Sequence, residues 1–228
     1  MSKVNLINGD CMHFMAGCDE NQFSLALVDP PYGIGIDGQK ESIKGKKSDR
    51  KRHAQKGWDN AIPPKEYFKQ LKRVSVNQII WGANYFVEHL TDAHKGWIVW
   101  DKGQHGLTMS DCELAYSSFD VPTRVWIQNR CILKQEGDTI HPTQKSIKMY
   151  KWLLQNYAKE NDTILDTHGG SMSSVIACID LQHDITCLEL DADYFTAACE
   201  RINAHIDQLD MFIPAPEITI THAEKSKI

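Results

Sequence analysis

Asp29, Pro30, Pro31 and Tyr32 stand together in residues 23–35, FSLALVDPPYGIG, and place a carboxylate, two imino acids and an aromatic ring on one short corner. That grouping suits a reaction on an exocyclic amine. Such a nitrogen on a nucleobase is a poor nucleophile because its lone pair is delocalised into the ring. If an Asp29 oxygen and the Pro30 carbonyl accept its two N–H bonds, the lone pair is freed to face an electrophile while Tyr32 stacks on the base. Proline fixes φ and removes competing backbone donors. Neither a nucleophilic side chain nor a metal is required. The plain alternative, a proline turn ending a core strand, suffices for Pro-Pro alone but not for the four residues together.

A second group lies far downstream. Residues 163–166, TILD, run into His168, Gly169, Gly170, Ser171 and Met172, then into a helix of small and apolar residues. Strand, glycine turn and helix let backbone approach a nucleotide-like ligand closely. A second strand follows and ends on Glu189 and Leu190, about 20 residues on, the spacing of an acid that binds ribose hydroxyls. Between the two groups, residues 141–145, HPTQK, precede a helix patterned by Met149, Trp152, Leu153 and Tyr157. Thr143 is placed to cap that helix, leaving N–H groups and Lys145 to meet a carboxylate.

These residues need a frame. Phe23, Leu25, Leu27 and Val28 predict a buried strand that the two prolines stop, so Asp29 and Tyr32 fall at its carboxyl end, where open α/β sheets bind ligands. Residues 4–7 predict another strand, running into Asp10 and Cys11 and a brief helix; Pro63-Pro64 opens an amphipathic helix with Tyr67, Phe68, Leu71 and Val74 on one face. Residues 78–81, 96–100 and 112–118 read as further strands, and 192–206 as a helix packing on the sheet. From residue 211 the pattern fades. The fold class expected is α/β, a mostly parallel doubly wound sheet in one domain spanning 1–228.

The motifs together resemble the S-adenosylmethionine-dependent DNA amino-methyltransferases, whose catalytic motif is [DNS]-P-P-[YFW], and the resemblance covers most of the chain. Aspartate in first position resembles the adenine-N6 group, whereas serine is typical of the cytosine-N4 group. The order, catalytic motif first and cofactor loop last, resembles the circularly permuted beta group. The resemblance implies a Rossmann-like methyltransferase fold with S-adenosylmethionine as cofactor. It places Asp10 and Cys11 beside the cofactor adenine, although Asp10 as a mere helix cap is an equal alternative. It puts HPTQK, with Thr143 and Lys145, at the cofactor's amino-acid end. Asp29, Asp166, His168, Gly169, Gly170, Ser171, Glu189 and Leu190 complete the implied cofactor set. Trp100, Lys102 and Glu113 fall in a region resembling the family's base pocket, although a tryptophan in a strand is more often simply core. Residues 120–140, with Arg124 and Arg130, fall where the group keeps its target-recognition segment; an edge strand with polar outer positions explains them almost as well. Two departures stand out: His168 replaces the usual phenylalanine of DPFxGSGTT, and Met172 replaces its second glycine. A homodimer and a cognate restriction endonuclease are further partners that the resemblance allows.

Charge and composition bound the partners. The net charge is −5, yet residues 38–57 hold eight Lys or Arg against two acids, a net of +6 on a remainder of −11. A basic segment on an acidic body is a local electrostatic footprint, and Lys46, Lys47, Arg50, Lys51 and Arg52 are its candidate contacts to DNA phosphates. The segment reads as a long mobile loop. Seven cysteines with no CxxC pair and ten scattered histidines indicate neither a disulfide framework nor a metal site. The apolar runs are too short for a membrane span and the amino terminus lacks a signal-peptide core, so the expected location is the cytoplasm of a bacterium, or of a phage-infected one. Other classes weighed are an RNA or protein amide methyltransferase, a catalytically silent DNA-binding relative, and a nicotinamide oxidoreductase, which the missing G-x-G-x-x-G disfavours.

Overall fold

The computed structural model describes residues 1–38, 54–90, 95–106, 110–129, 139–208 and 213–223. Among these, nine strands form one sheet: β1 (Lys3–Asn8), β2 (Phe23–Val28), β3 (Ser75–Trp81), β4 (Trp97–Asp101), β5 (Cys112–Ser117), β6 (Arg124–Ile127), β7 (Thr163–Asp166), β8 (Asp184–Glu189) and β9 (Glu217–His222). Their spatial order is β6-β4-β5-β3-β2-β7-β8-β1-β9. Every neighbouring pair is parallel except those of β5, which runs antiparallel to both β3 and β4.

Strand β2 shows why the apolar run is continuous rather than alternating. Leu25 and Leu27 enter one core with Met149, Leu153, Val175 and Phe195, while Ala26 and Val28 enter another with Met15, Tyr67, Phe68 and Leu71. A strand covered on both faces has no polar side to show. The helices divide accordingly: α1 (Cys11–Ala16) and α2 (Lys65–Val74) cover one face, and α3 (Ile147–Tyr157), α4 (Ser173–Leu181) and α5 (Ala192–Ile206) the other. All four residues expected on the apolar face of α2 are buried. The doubly wound α/β sheet is thus the fold. No helix among the described residues is long and apolar enough to cross a membrane.

Chain order fixes where a ligand can bind. From β2 the chain crosses through α2 to β3 on one side; from β7 it crosses through α4 to β8 on the other. The winding reverses between β2 and β7, whose pairing brings Leu25 beside Ile164 and Ala26 beside Leu165. The crevice at that reversal opens at the strands' carboxyl ends, which carry Asp29 and the glycine turn. The half that carries Asp29 therefore precedes the half that carries the glycine turn along the chain.

One expectation about caps is corrected. Ser146, not Thr143, caps α3: its Oγ accepts from Lys148 N at 3.1 Å. Thr143 instead sets its hydroxyl 3.1 Å from His141 Nδ1. Both residues are good caps in isolation, but α3 begins at Ile147, directly after Ser146, whose Oγ also accepts from Gln128 Nε2 at 2.9 Å.

Candidate active site

A cavity of about 1200 Å³ lies at the reversal point and is lined by Asp29 to Tyr32 from one motif group and by His168 to Ser171 with Glu189 from the other. Its floor on the catalytic side is the corner after β2. Tyr32 donates its hydroxyl to Asp29 Oδ1 at 2.6 Å, and Lys145 Nζ donates to Asp29 Oδ2. Lys145 also lies 3.2 Å from the Tyr32 hydroxyl and 3.3 Å from Glu113 Oε2, while Lys102 holds Glu113 Oε1 at 2.9 Å. Two carboxylates and two ammonium groups thus alternate in a buried row.

The charges in that row support one another. Burial disfavours the charged form of Lys145, but Asp29 and Glu113 outweigh it and hold its pKa above the ordinary lysine value. Burial likewise works against ionised Glu113, and Lys145 with Lys102 brings its pKa to about 2. Burial pushes Asp29 above the usual carboxylate range, against the pull of Lys145. Removing any one member would leave a buried charge uncompensated.

Tyr32 is positioned by two neighbours that the sequence did not flag. Its ring stacks on Tyr85, 5.1 Å between centroids and 17° from parallel, so one ring face is already covered. Gly82, which turns the chain out of β3 with φ +71°, lies against the ring's face: a Cβ there would lie 2.0 Å from Tyr32 Cε1, 2.4 Å from Cδ1 and 2.5 Å from Cζ. The signal for Gly82 was a glycine just after an apolar strand, which marks a close backbone approach without saying to what.

On the cofactor side, Glu189 closes the glycine turn. Its Oε2 accepts from Gly170 N at 2.7 Å and its Oε1 from Asp191 N at 2.8 Å. Gly169 has no room for a side chain, since a Cβ would lie 2.7 Å from Cys187 Sγ and 3.2 Å from the Leu188 carbonyl, and Gly170 has φ +52°. His168, Ser171 and the largely exposed Leu190 line the same space. Burial lowers the His168 pKa to about 4, so its ring is neutral near pH 7; it lies edge-on to Tyr67 at 5.3 Å. Asp10 and Cys11 also line the cavity. Asp10 caps α1, accepting from Met12 N at 2.7 Å and His13 N at 2.9 Å, as its alternative reading had it. Burial, aided by Asp10, raises the Cys11 thiol to a pKa of about 12 and keeps it protonated.

Asp166 and Lys56 sit differently from expectation. Asp166 is buried beneath the turn rather than in the cavity: its Oδ2 accepts from Ser174 Oγ at 2.6 Å and its Oδ1 from His168 N at 3.1 Å. Burial raises its pKa to about 7. It braces the turn from below. Met172 adopts φ +53°, so this position does want the freedom of glycine, yet its side chain is wholly buried in the core and does not enter the cavity. Lys56, one of the eight basic residues, lines the cavity beside Asp191 and Tyr194 rather than standing free: its Nζ meets Asp191 at 2.6 Å and Asp193 at 2.7 Å and lies 4.6 Å above the Tyr194 ring. Lys46, Lys47, Arg50, Lys51, Arg52 and Arg130 lie outside the described residues. Arg124 is exposed on β6, the sheet's edge strand, beside exposed Val125 and Ile127.

A doubly wound sheet whose reversal point joins an Asp-Pro-Pro-Tyr corner to a glycine turn defines a nucleotide-type group-transfer enzyme. The chain belongs to the DNA methylase family: the family model of that description, covering N6 and N4 methyltransferases, matches residues 23–200. Among curated proteins it is 26% identical over 215 residues to YubD of Escherichia coli strain K12, whose methylase role is itself provisional; the match covers 87% of this chain and 89% of YubD. Among solved structures it resembles TTHA0409 of Thermus thermophilus, provisionally named a DNA modification methylase and solved with S-adenosylmethionine, at TM-score 0.60 and 13% identity over 99% of this chain and 100% of that one. It resembles the M1.HpyAVI–SAM complex at TM-score 0.58 and 18% identity, over 87% and 99% of the two chains. PvuII DNA methyltransferase, cytosine-N4-specific, follows at TM-score 0.58 and 12% identity over 94% and 89%. These likenesses establish the methyltransferase fold for this chain.

Proposed function

We propose that this DNA methylase transfers a methyl group from S-adenosylmethionine to the N6 amino group of adenine. The carrying observation is Asp29: a carboxylate on a proline-stiffened corner, at the one point of the sheet shared by both halves of the cavity. A carboxylate there can accept an N–H bond from an exocyclic amine, and aspartate rather than serine in this position supports adenine over cytosine. The cavity is roomy and mixed in character, and solved relatives of the same fold hold S-adenosylmethionine in their structures.

The residues present fit that cofactor. Gly169 and Gly170 leave backbone where any side chain would collide or strain, and Glu189 is held open-faced to the cavity by two backbone N–H groups, as a receiver of ribose hydroxyls needs. Neutral His168 and protonated Cys11 add no charge beside an uncharged adenine. S-adenosylmethionine supplies an electrophilic methyl group on a sulfonium centre. Asp29 and the Pro30 carbonyl would orient the amine toward it, and Tyr32 would pack against the base. As the new C–N bond forms, the amine nitrogen must shed a proton, and buried Asp29, with its pKa pushed upward, is placed to receive it. The base has to leave the duplex to reach this depth.

The test is direct. Incubation with labelled S-adenosylmethionine and duplex DNA, followed by digestion to nucleosides, should yield N6-methyladenine; N4-methylcytosine would sink the base assignment. Asp29→Ala should abolish transfer while calorimetry shows cofactor binding largely intact. Label found in RNA or protein instead, or none at all, would favour the other classes weighed above.

A further inference from the structure

In the row Asp29–Lys145–Glu113–Lys102, the Lys145 ammonium group sits between two carboxylates of unequal occupancy. Asp29 has both oxygens engaged, by Tyr32 and Lys145. Glu113 has Oε1 fixed by Lys102 at 2.9 Å, but its Oε2, though buried, makes no well-formed hydrogen bond, and Lys145 Nζ is 3.3 Å away. A buried acceptor whose ion pair is too poorly aligned for a full hydrogen bond is under-satisfied and usually has a reason. An ammonium bound to Asp29 also withdraws the electron density that the carboxylate must offer to an incoming amine, and as a charged donor it outcompetes a neutral one.

We propose that Lys145 is handed from Asp29 to Glu113 Oε2 when the target amine enters, which makes Glu113 a positioning residue of the acceptor pocket. The inference rests on Asp29 being the amine acceptor. Lys145 is already ion-paired to both carboxylates, so a shift of well under the length of the side chain moves only its close hydrogen bond from Asp29 to Glu113, and the buried lysine is never without a carboxylate. Lys102 keeps Glu113 aimed: it is buried, it lies 5.5 Å from the Trp100 ring, and Trp100 is itself pinned by donating Nε1 to the Gln128 carbonyl at 2.9 Å. The aromatic faces of Tyr32 and Trp81, at 5.5 and 5.7 Å from Nζ, line the path and suit a moving cation. Such a hand-over is distinct from Lys145 serving the cofactor's carboxylate, because its destination lies within the acceptor side.

Glu113→Gln keeps the shape and removes the receiving charge. It should lower kcat by about tenfold or more while the affinity for S-adenosylmethionine, read by calorimetry, stays within about twofold. The pH profile gives a readout that a structural role would not move. The groups facing Lys145 are Asp29 and Tyr32 from the corner after β2, Glu113 from β5 with Lys102 behind it, and the Tyr150 hydroxyl of α3. Losing Glu113 leaves burial and Lys102 opposed by Asp29 alone, so the Lys145 pKa falls; raising the pH then discharges it and frees Asp29. The Glu113→Gln enzyme should therefore regain rate as pH rises from about 7 to 10, while the parent does not. Because Glu113→Gln also strands Lys102, the double variant Lys102→Met with Glu113→Gln removes both buried ends and should show the same deficit and the same alkaline recovery. Parental rates in either variant, or profiles parallel to the parent, would overturn the hand-over. Loss of cofactor affinity in Glu113→Gln would assign the row to the cofactor instead and overturn it too. If the parent itself methylates no DNA, the amine-acceptor reading fails first, and the two failures are told apart.

Discussion

Gly82 and Tyr32 occupy a space that admits only one side chain: a Cβ on the glycine would lie 2.0 Å from the ring's Cε1 and 2.5 Å from Cζ. The ring whose hydroxyl holds Asp29 is therefore set in place by a residue 50 positions away. Gly82→Ala should displace Tyr32, with further strain from φ +71°, and cut kcat by about 100-fold, the scale of a misplacement near 1 Å. Calorimetry of S-adenosylmethionine should show little change, since Gly82 belongs to the catalytic half. A parental kcat would show that the Tyr32 ring position is immaterial.

Glu189→Ala removes the acceptor that both Gly170 and Asp191 N–H groups use, together with the proposed ribose contact. Cofactor binding should weaken by roughly 1.5 to 3 kcal/mol, the worth of a charge-assisted hydrogen bond. Unchanged affinity in a titration would take Glu189 out of the cofactor set.

Met172→Gly separates backbone from side chain. Glycine relieves a left-handed conformation, worth about 1 kcal/mol, but deletes a fully buried side chain, a loss of about 2 to 5 kcal/mol. The variant should melt at lower temperature and bind S-adenosylmethionine about equally well. A large gain in affinity would show that the natural turn is impaired and would favour a silent relative.

Replacing Lys46, Lys47, Lys51 and Arg52 with Ala should weaken binding to all DNA sequences alike and flatten its salt dependence, by about 0.9 in log–log slope for each phosphate no longer neutralised. Trypsin should cut this segment first, and duplex DNA should protect it. An unchanged slope would move the DNA-binding burden to residues 123–134. Lys56 is left out of that variant because it is committed to Asp191 and Asp193.

Periodicity located every strand and helix that the motifs depend on, because buried strands and amphipathic helices write their burial into consecutive residues: β2, α2 and β8 lie where the apolar patterns put them. What local pattern could not supply was direction. Asp166 and Glu189 both end their strands on the same face of the sheet, yet one points under the turn to Ser174 and the other into the cavity, because Glu189 lies two residues beyond Cys187, the strand partner of Asp166, and so reaches past the turn. The pairing of Lys145 with Asp29 was equally invisible, since 116 residues separate them and only the permuted crossover brings α3's leading edge to β2. Met172 was legible as a departure, but whether its backbone or its bulk mattered depended on a φ angle that composition does not encode.

One carboxylate, that of Asp37, receives the N–H groups of both Lys56 and Gly57, and Asp59 receives those of Gly33 and Ile36. The chain thus leaves the catalytic corner at residue 38 and re-enters it at residue 54 through the same small clasp. The two ends of the connection are held together by two carboxylates. Lengthening such a tied segment costs little, about 0.6 kcal/mol for each doubling. Selection could therefore exchange the basic insert for longer, shorter or differently charged ones without retuning the catalytic corner, and an engineer could graft there in the same way.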